Sequence, residues 1–279
     1  MRDLSQDNRL LSINIATVRE QWDLRQAIEG IARAGIPALS VWRDKLETLG
    51  LAAATKLIKR HGLAVTGLCR GGMFTRAGND GRTETLADNR RAIDEAAALE
   101  AACLVLIAGG LAPGSRDIGE ARRIVRDGLA ELLPYARAAG VPLAIEPLHP
   151  MYAADRACIN TLAEANDLCD VLGEGIGIAV DVYHVWWDPN LAQEIARAGR
   201  QRRILGFHIC DWLVPTTDLL LDRGMMGDGV IDIPAIRALV EAAGYDGFCE
   251  VEIFSKSNWW KRPAEEVLAT AVARYRTVC

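Results

Sequence analysis

The chain has 279 residues, a formal net charge of −5 and a pI near 5.5; half of its residues are hydrophobic and a quarter are charged. This length suits one large α/β domain, and the composition is typical of a globular protein with an ample core. The acidic balance offers no basic field for phosphates, so nucleic acid and anionic membranes are poor candidate partners, and a small neutral ligand suits the chain better.

The first ten residues, MRDLSQDNRL, lack the apolar core of a signal peptide. No apolar run approaches the roughly 18 residues that a membrane-spanning helix needs. We therefore expect a cytoplasmic protein, and a homo-oligomer is compatible with the sequence. The seven cysteines form no CxxC pair, and an odd number cannot be fully bridged within one chain. We expect them to be reduced and to pack as small apolar residues.

Eight short apolar segments recur along the chain, and each is followed by a helical pattern. In chain order, the predicted strands are LLSINIA (10–16), IPALSVW (36–42), LAVTGLC (63–69), ACLVLIAGG (102–110), VPLAIEP (141–147), IGIAVDV (176–182), ILGFHIC (204–210) and FCEVEIF (248–254). Segments between them, such as LADNRRAIDEAAALEA, space apolar residues three to four apart, and several such segments end at a glycine, as helices do.

Continuous apolar strands that alternate with helices indicate parallel βαβ units whose strands are buried on both faces. Eight such units close into a (β/α)8 TIM barrel, which is the predicted fold, as a single domain over residues 1–279. A doubly wound open sheet is the alternative fold. However, no GxGxxG motif follows the first strand, where a dinucleotide-binding fold would show it.

Polar residues collect at the C-terminal ends of the last four predicted strands, which is where barrels of this kind place their active sites. These residues are Glu146, Asp181, His184, His208, Asp211, Glu250 and Glu252. Three of the four histidines lie at these ends when His149 is counted, and we interpret the fourth, His61, as a surface or helix-capping residue.

Four of these groups, one from each of four successive strands, are expected to converge above the barrel axis: Glu146, Asp181, His208 and Glu252. Three carboxylates and one imidazole suit one divalent metal ion, with Mn²⁺ as first choice and Mg²⁺, Co²⁺ or Zn²⁺ as alternatives. The competing interpretation is a buried salt-bridge cluster with Arg70 or Arg43, but that would not explain why a histidine joins three acids. Glu250 shares the parity of Glu252; we interpret the more C-terminal Glu252 as the ligand and Glu250 as a deeper partner of an arginine.

Five motifs carry a resemblance to a known family: IEPLHP around Glu146, VDVYHVWW around Asp181, FHICDW around His208, GDGVIDIPAI from Gly227, and GYDGFCEVEIFS leading to Glu252. Together they resemble the xylose isomerase-like TIM barrels, which include sugar phosphate isomerases and epimerases, ketose 3-epimerases and inosose dehydratases. The resemblance covers nearly the whole chain. It implies that the four converging residues bind one metal, that Glu146 and Glu252 are the catalytic proton-transfer groups, and that His184 contacts a substrate hydroxyl.

The predicted substrate is a sugar, cyclitol or glycoside, because six of the seven tryptophans follow strand ends and aromatic faces stack on the C–H faces of sugars. Many family members have a His-x-Lys-Asp sequence on the seventh strand, where this chain has Cys210 instead of lysine, so we do not carry over a phosphate on the substrate. The predicted substrate-binding residues are His184, His149, Asp211, Arg223, Trp42, Trp186 and Trp212.

The predicted reaction is proton abstraction next to a carbonyl, which gives a metal-chelated enediolate that is reprotonated as an isomer or epimer. A lyase or dehydratase acting on a keto-inositol or a 3-keto-glycoside would use the same site. The sequence leaves both open, and a third acid, such as His149 or His184, would decide between them. A non-catalytic sugar-binding barrel would not need the metal ligands, and an apurinic endonuclease would need more strand-end histidines and a basic face.

Overall fold

The computed structural model describes residues 2–76 and 81–279. Its strands are β1 (Leu11–Asn14), β2 (Ala38–Trp42), β3 (Ala64–Gly72), β4 (Leu104–Ile107), β5 (Leu143–Ile145), β6 (Ile176–Asp181), β7 (Ile204–Ile209), β8 (Asp211–Trp212), β9 (Arg223–Gly224) and β10 (Cys249–Val251). Eight of them close a parallel barrel in the order β1-β10-β7-β6-β5-β4-β3-β2, whereas β8 and β9 form a small antiparallel pair. The predicted (β/α)8 barrel is thus confirmed. All eight barrel strands lie in the predicted segments, although β3 runs on to Gly72.

Helices follow the barrel strands on the outside, as the spacing of apolar residues predicts. They are α1 (Leu24–Arg33), α2 (Arg43–Leu49), α3 (Leu51–His61), α4 (Arg82–Ala98), α5 (Ile118–Ala139), α6 (Leu162–Leu172), α7 (Val182–Val185), α8 (Leu191–Arg200), α9 (Ile233–Ala242) and α10 (Ala264–Val278). Short 3₁₀ turns cover Ile15–Val18, Pro150–Tyr152 and Trp259–Lys261. Of the helices that the structure describes, none is long and apolar enough to cross a membrane.

Local sequence signals set the ends of these helices. Asp23 and Thr161 begin α1 and α6 with capping boxes, in which each side chain accepts from a backbone N–H of the first turn. Gly62 and Gly140 end α3 and α5 in the left-handed conformation that glycine adopts without strain. His61 is the exposed last residue of α3, as its interpretation as a surface or capping residue predicted.

The outer face of the barrel strands carries apolar side chains, whereas the inner face carries both apolar and polar side chains. Outward side chains such as Leu104 and Leu106 of β4 join the main core beneath the helices, whereas Val105 belongs to a second, smaller cluster with Cys69 and Ala179. All seven cysteines lie within the described residues; none forms a disulfide, and six of them are buried. The inner cluster fills the barrel below its C-terminal mouth, so polar groups at the strand ends rest on a packed base.

The strand order determines which ends meet. β5, β6, β7 and β10 are consecutive neighbours in the barrel, although β8, β9 and α9 separate β7 from β10 in the chain. Their C-terminal ends therefore form one continuous arc of the barrel mouth.

Candidate active site

Four polar side chains from this arc meet at the mouth of the barrel. One potential ligand atom from each lies within 4.8 Å of the other three. All four residues are buried, with at most 5% of any of them exposed. They are the residues that the sequence predicted to converge: Glu146, Asp181, His208 and Glu252.

The barrel backbone fixes where these side chains start. Glu146 follows β5, and its N–H still donates to a carbonyl of β4 at 3.1 Å. Asp181 ends β6, and its Oδ1 accepts from the Tyr183 N–H at 2.8 Å, which caps the short helix α7. His208 is aligned with Asp181 on β6 and with Glu250 on β10. The site therefore rests on rigid strand ends rather than on long loops.

His208 lies between two carboxylates. Its Nδ1 is 2.9 Å from Oε1 of Glu146, and its Nε2 is 3.7 Å from Oε1 of Glu250. Burial by itself lowers the pKa of His208, but the charges of Glu250 and Glu146 outweigh it and hold the pKa well above its usual value. Without a metal ion, the imidazole therefore holds its proton, because its surroundings are strongly negative.

Arg223, from β9, reaches into the same cluster. Its Nη1 lies 3.1 Å from Oδ2 of Asp181 and 3.1 Å from Oε2 of Glu252, and its Nη2 lies 3.1 Å from Nε2 of His184. The guanidinium carbon also lies over the Tyr183 ring, 4.4 Å from its centroid. Although burial alone raises the pKa of Asp181, Arg223 and His184 reverse this effect and lower it.

The structure corrects the identity of the arginine expected in a buried salt-bridge cluster. Arg43 instead lies beside α4, where it pairs with Asp88 at 3.0 Å and Glu95 at 2.6 Å. Among the described residues, Arg70 forms no ion pair, so the cation of the cluster is Arg223. The sequence did not predict the ion pairs of Arg223, because β9 lies in a loop outside the repeating strand pattern.

The cluster carries more negative than positive charge. Four carboxylates are buried here: Glu146, Asp181, Glu250 and Glu252. Arg223 and a protonated His208 offset only part of this charge. Burial raises the pKa of Glu252 to about 8, and the proximity of Arg223 only partly counters this effect. Hard oxygen donors, one imidazole and excess negative charge together fit a divalent cation.

Glu250 lies deeper in the barrel, as predicted, but its partner is not an arginine. Its Oε1 accepts from Nδ2 of Asn14 at 2.8 Å, and its Oε2 accepts from the Thr66 hydroxyl at 2.6 Å. The Asn14 amide also donates to Oε1 of Glu252 at 2.8 Å, and its Oδ1 accepts from Nε1 of Trp42 at 2.7 Å. Asn14 thus fixes Glu250, Glu252 and Trp42 together. A polar residue at the end of the first strand was the signal that could have revealed it.

A cavity of about 210 Å³ opens onto the cluster and is lined by Glu146 and Glu252. Three predicted substrate-binding residues also line it: Trp42, His184 and Arg223. Of the seven tryptophans, Trp42 alone lines this cavity, so the predicted aromatic wall is smaller than expected. Residues that the sequence did not single out for the site also line it, among them Leu148, Tyr152, Arg156 and Phe254.

The other four predicted substrate-binding residues do not line this cavity: His149, Trp186, Asp211 and Trp212. The carboxylate of Asp211 accepts instead from the backbone N–H groups of Gly227 and Ile231, at 2.9 and 3.0 Å. His149 stacks on Trp212 with ring centroids 5.0 Å apart, and Trp186 lies 5.9 Å from the same ring. These side chains hold the loop beside the site together, and the sequence could not distinguish that role from ligand contact.

His184 is a neutral group in this cavity. Burial lowers its pKa to about 3, even though Asp181 acts in the opposite direction. Its Nδ1 accepts from the His149 backbone N–H at 3.2 Å, and its Nε2 faces Arg223, so the uncharged ring is held in place by both groups.

Comparison with known proteins gives one family. Residues 28–278 match the family model of the xylose isomerase-like TIM barrel. An inosose isomerase from Halalkalibacterium halodurans is 26% identical over 156 residues, which cover 54% of this chain and 53% of that protein. The chain thus spans about half the length of this curated relative.

Solved structures share the whole fold. Protein SMc04130 from Sinorhizobium meliloti 1021 is 60% identical, with a TM-score of 0.96 over 98% of this chain and 99% of that chain. The IolI protein with a binding zinc atom is 22% identical, with a TM-score of 0.82 over 96% of this chain and 98% of that chain.

Proposed function

The chain belongs to the xylose isomerase-like TIM barrel family, and we propose that within it the protein is a divalent-metal-dependent sugar or cyclitol isomerase or epimerase. The observation that carries this proposal is the buried cluster of three carboxylates and one imidazole at the barrel mouth, with ligand atoms within 4.8 Å of one another. The curated relative named an inosose isomerase supports inososes as the first substrates to test. The predicted cytoplasmic location is part of the same proposal.

Glu146, Asp181, His208 and Glu252 would hold one divalent ion. Mn²⁺ is our first choice because three of the four donor residues supply hard oxygen atoms. Zn²⁺ is the alternative, because the similar IolI structure contains a zinc atom. Such an ion supplies Lewis-acid stabilisation of negative charge that develops on a substrate oxygen.

Glu146 and Glu252 are the proposed base and acid. They follow β5 and β10, which β6 and β7 separate in the barrel, so the two carboxylates approach the cavity from different sides. One takes the proton from the carbon beside the substrate carbonyl, which leaves an enediolate. The other returns a proton to the neighbouring carbon or to the opposite face. Asn14 and Arg223 hold the two oxygens of Glu252, and His208 holds Glu146.

The remaining cavity residues orient the substrate. Arg223 stays charged, because its pKa is raised by Asp181 against the effect of burial. The neutral His184 lines the cavity and would contact a substrate hydroxyl where its Nε2 exchanges Arg223 for the ligand, and Trp42 offers an aromatic face. The cavity of about 210 Å³ is smaller than the usual pocket for a drug-sized ligand, which suits a monosaccharide or cyclitol better than a whole glycoside.

A lyase acting on a keto-inositol or a 3-keto-glycoside remains the second candidate that the sequence raised. It needs a third acid to protonate the departing oxygen. His149 does not line the cavity, and the lowered pKa of His184 leaves it uncharged at neutral pH, so neither histidine favours this reaction.

The test is incubation of the Mn²⁺-loaded protein with an inosose, D-fructose and a 3-keto-glucoside, followed by mass spectrometry and NMR of the products. We expect a product of unchanged mass from at least one substrate, and none from the His208→Ala variant. Loss of water or cleavage of the glycoside would instead identify a lyase.

A further inference from the structure

Two arginines at the wall of the active-site cavity have no close carboxylate partner among the residues that the structure describes. Arg70 and Arg156 both line the cavity of about 210 Å³ that contains Glu146 and Glu252. The hydrogen bond that Arg70 makes within the described residues runs to the sulfur of Met73, at 2.8 Å. The ion pair of Arg156 is with its exposed chain neighbour Asp155, at a long 4.0 Å. The pKa of Arg70 is lowered by burial and by the nearby charges of Arg156 and Arg76.

A buried tyrosine lies close to one of these guanidinium groups, that of Arg156, and lines the same cavity as both. Tyr152 is 5% exposed and lines the same cavity, and its hydroxyl has no hydrogen-bond partner among the described residues. The guanidinium carbon of Arg156 lies 5.6 Å from the centroid of the Tyr152 ring. Burial raises the pKa of Tyr152, so its hydroxyl keeps its proton and is a hydrogen-bond donor. Leaving a buried donor without an acceptor costs free energy, so we expect a ligand to supply the acceptor.

Two other arginines near the mouth have carboxylate partners. A wider cleft of about 770 Å³ adjoins the cavity and shares Arg19, Trp42, Cys69 and Arg70 with it. In that cleft Arg19 pairs with Asp44 at 2.6 Å, and Arg91 pairs with Asp88 at 3.0 Å. Among the described residues, Arg70 thus differs from Arg19 and Arg91, which each have a carboxylate partner.

We propose that Arg70, Arg156 and Tyr152 form a subsite for an anionic group of the substrate, a phosphate or a carboxylate. Two guanidinium groups and one protonated hydroxyl supply N–H and O–H donors, which complement an oxyanion. The substrate class is then an acidic sugar or cyclitol, whose carbonyl end faces Glu146 and Glu252 while its anionic group faces the arginines. The net charge of −5, which favoured a neutral ligand, does not describe this local field.

The sugar part of this inference rests on the proposed function, but the anion subsite is testable by binding without turnover. The probes are inorganic phosphate, D-fructose, D-fructose 6-phosphate and D-fructuronate, each titrated by calorimetry into the Mn²⁺-loaded protein at constant ionic strength. We expect at least one of the two charged sugars to bind at least about tenfold more tightly than D-fructose, and inorganic phosphate to bind weakly but saturably. Comparison of the two charged sugars distinguishes phosphate from carboxylate.

Three variants locate the effect. Arg70→Gln and Arg156→Gln should each reduce the preference for the charged sugar about tenfold and leave D-fructose binding within about twofold. Tyr152→Phe keeps the ring and should weaken only the charged ligand. Arg91→Gln, a change at a paired arginine of the adjoining cleft, is the matched control and should change neither affinity.

Equal affinity for neutral and charged sugars, no saturable binding of any anion, or a preference that survives both arginine variants would overturn the subsite. The two proposals fail in different ways. Isomerisation of neutral ketoses without anion preference rejects the subsite and leaves the proposed function intact. Anion binding that depends on Arg70, without turnover of any sugar, supports the subsite and rejects the proposed function.

Discussion

The imidazole of His208 contacts the carboxylate of Glu146 across 62 residues of sequence, with Nδ1 2.9 Å from Oε1. Both groups are buried, and each comes from a different strand of the barrel. A contact of this kind joins a residue proposed to move a proton to one proposed only to bind the metal. Substitutions at the two positions should therefore have different consequences.

Replacement of Glu146 by glutamine should lower kcat while substrate binding is retained. The amide keeps the shape and one coordinating oxygen but cannot accept the substrate proton, so we expect a loss of roughly 100-fold or more. In D₂O the wild type should place deuterium on the carbon beside the carbonyl, and the variant should not. A variant that turns over at the normal rate would reduce Glu146 to a ligand and reject the mechanism.

The two glutamates of β10 and its end should behave differently. Glu252→Gln should abolish turnover, because the side chain lines the cavity and belongs to the ligand cluster. Glu250→Gln should mainly lower the free energy of unfolding, by about 1–3 kcal/mol, since it weakens hydrogen bonds with Asn14 and Thr66. Kinetics and urea denaturation of both variants measure this. The reversed pattern would mean that the functional carboxylate lies one pleat deeper.

Arg223 should matter most to the metal-free protein. Arg223→Gln leaves Asp181 and Glu252 buried without their cation, so we expect a loss of about 3–5 kcal/mol in the free energy of unfolding. Saturating Mn²⁺ should recover much of this loss, because an ion that binds only the folded state stabilises it. Urea denaturation with and without Mn²⁺ checks both statements, with Arg91→Gln as the exposed control. If the metal-free variant were as stable as the metal-free wild type, Arg223 would not stabilise Asp181 and Glu252.

The lowered pKa of His184 predicts acid sensitivity. Between pH 6.5 and about 3 the unfolded chain protonates this histidine while the folded protein does not, so its contribution to stability falls as the pH falls through this range. In the metal-free protein, His184→Asn should therefore show a shallower loss of stability from pH 6.5 to 4.5 than the wild type. NMR of the wild type should find the His184 ring uncharged at pH 4.5; a charged ring there would contradict the buried, neutral assignment.

The fold and the cluster of Glu146, Asp181, His208 and Glu252 were predictable because each depends on a pattern that the sequence displays. Apolar runs mark the strands, and a carboxylate such as Glu146 or Asp181 directly after such a run marks a strand end at the barrel mouth. Parallel strands then bring these ends together, whichever loops separate them. The convergence of the four side chains needed only this geometry.

The rest of the site depends on partners, which periodicity does not encode. Arg223 comes from a loop hairpin, and its approach to Asp181 follows from the folding of that loop. Asp211 has the residue type of a ligand, but backbone N–H groups use its oxygens. For Arg70 the sequence gives the charge of the side chain. It cannot tell that no carboxylate within residues 2–76 and 81–279 forms an ion pair with it.

The most direct test of the account is a calorimetric titration of chelator-treated protein with Mn²⁺, for the wild type and the His208→Ala variant. We predict about one ion per chain for the wild type. The variant should bind at least about 100-fold more weakly, because even residues outside a ligand set change metal affinity by 10–100-fold, and its circular dichroism should match the wild type. Absence of binding by the folded wild type, or equal binding by the variant, would contradict the central claim that these four side chains form a metal centre.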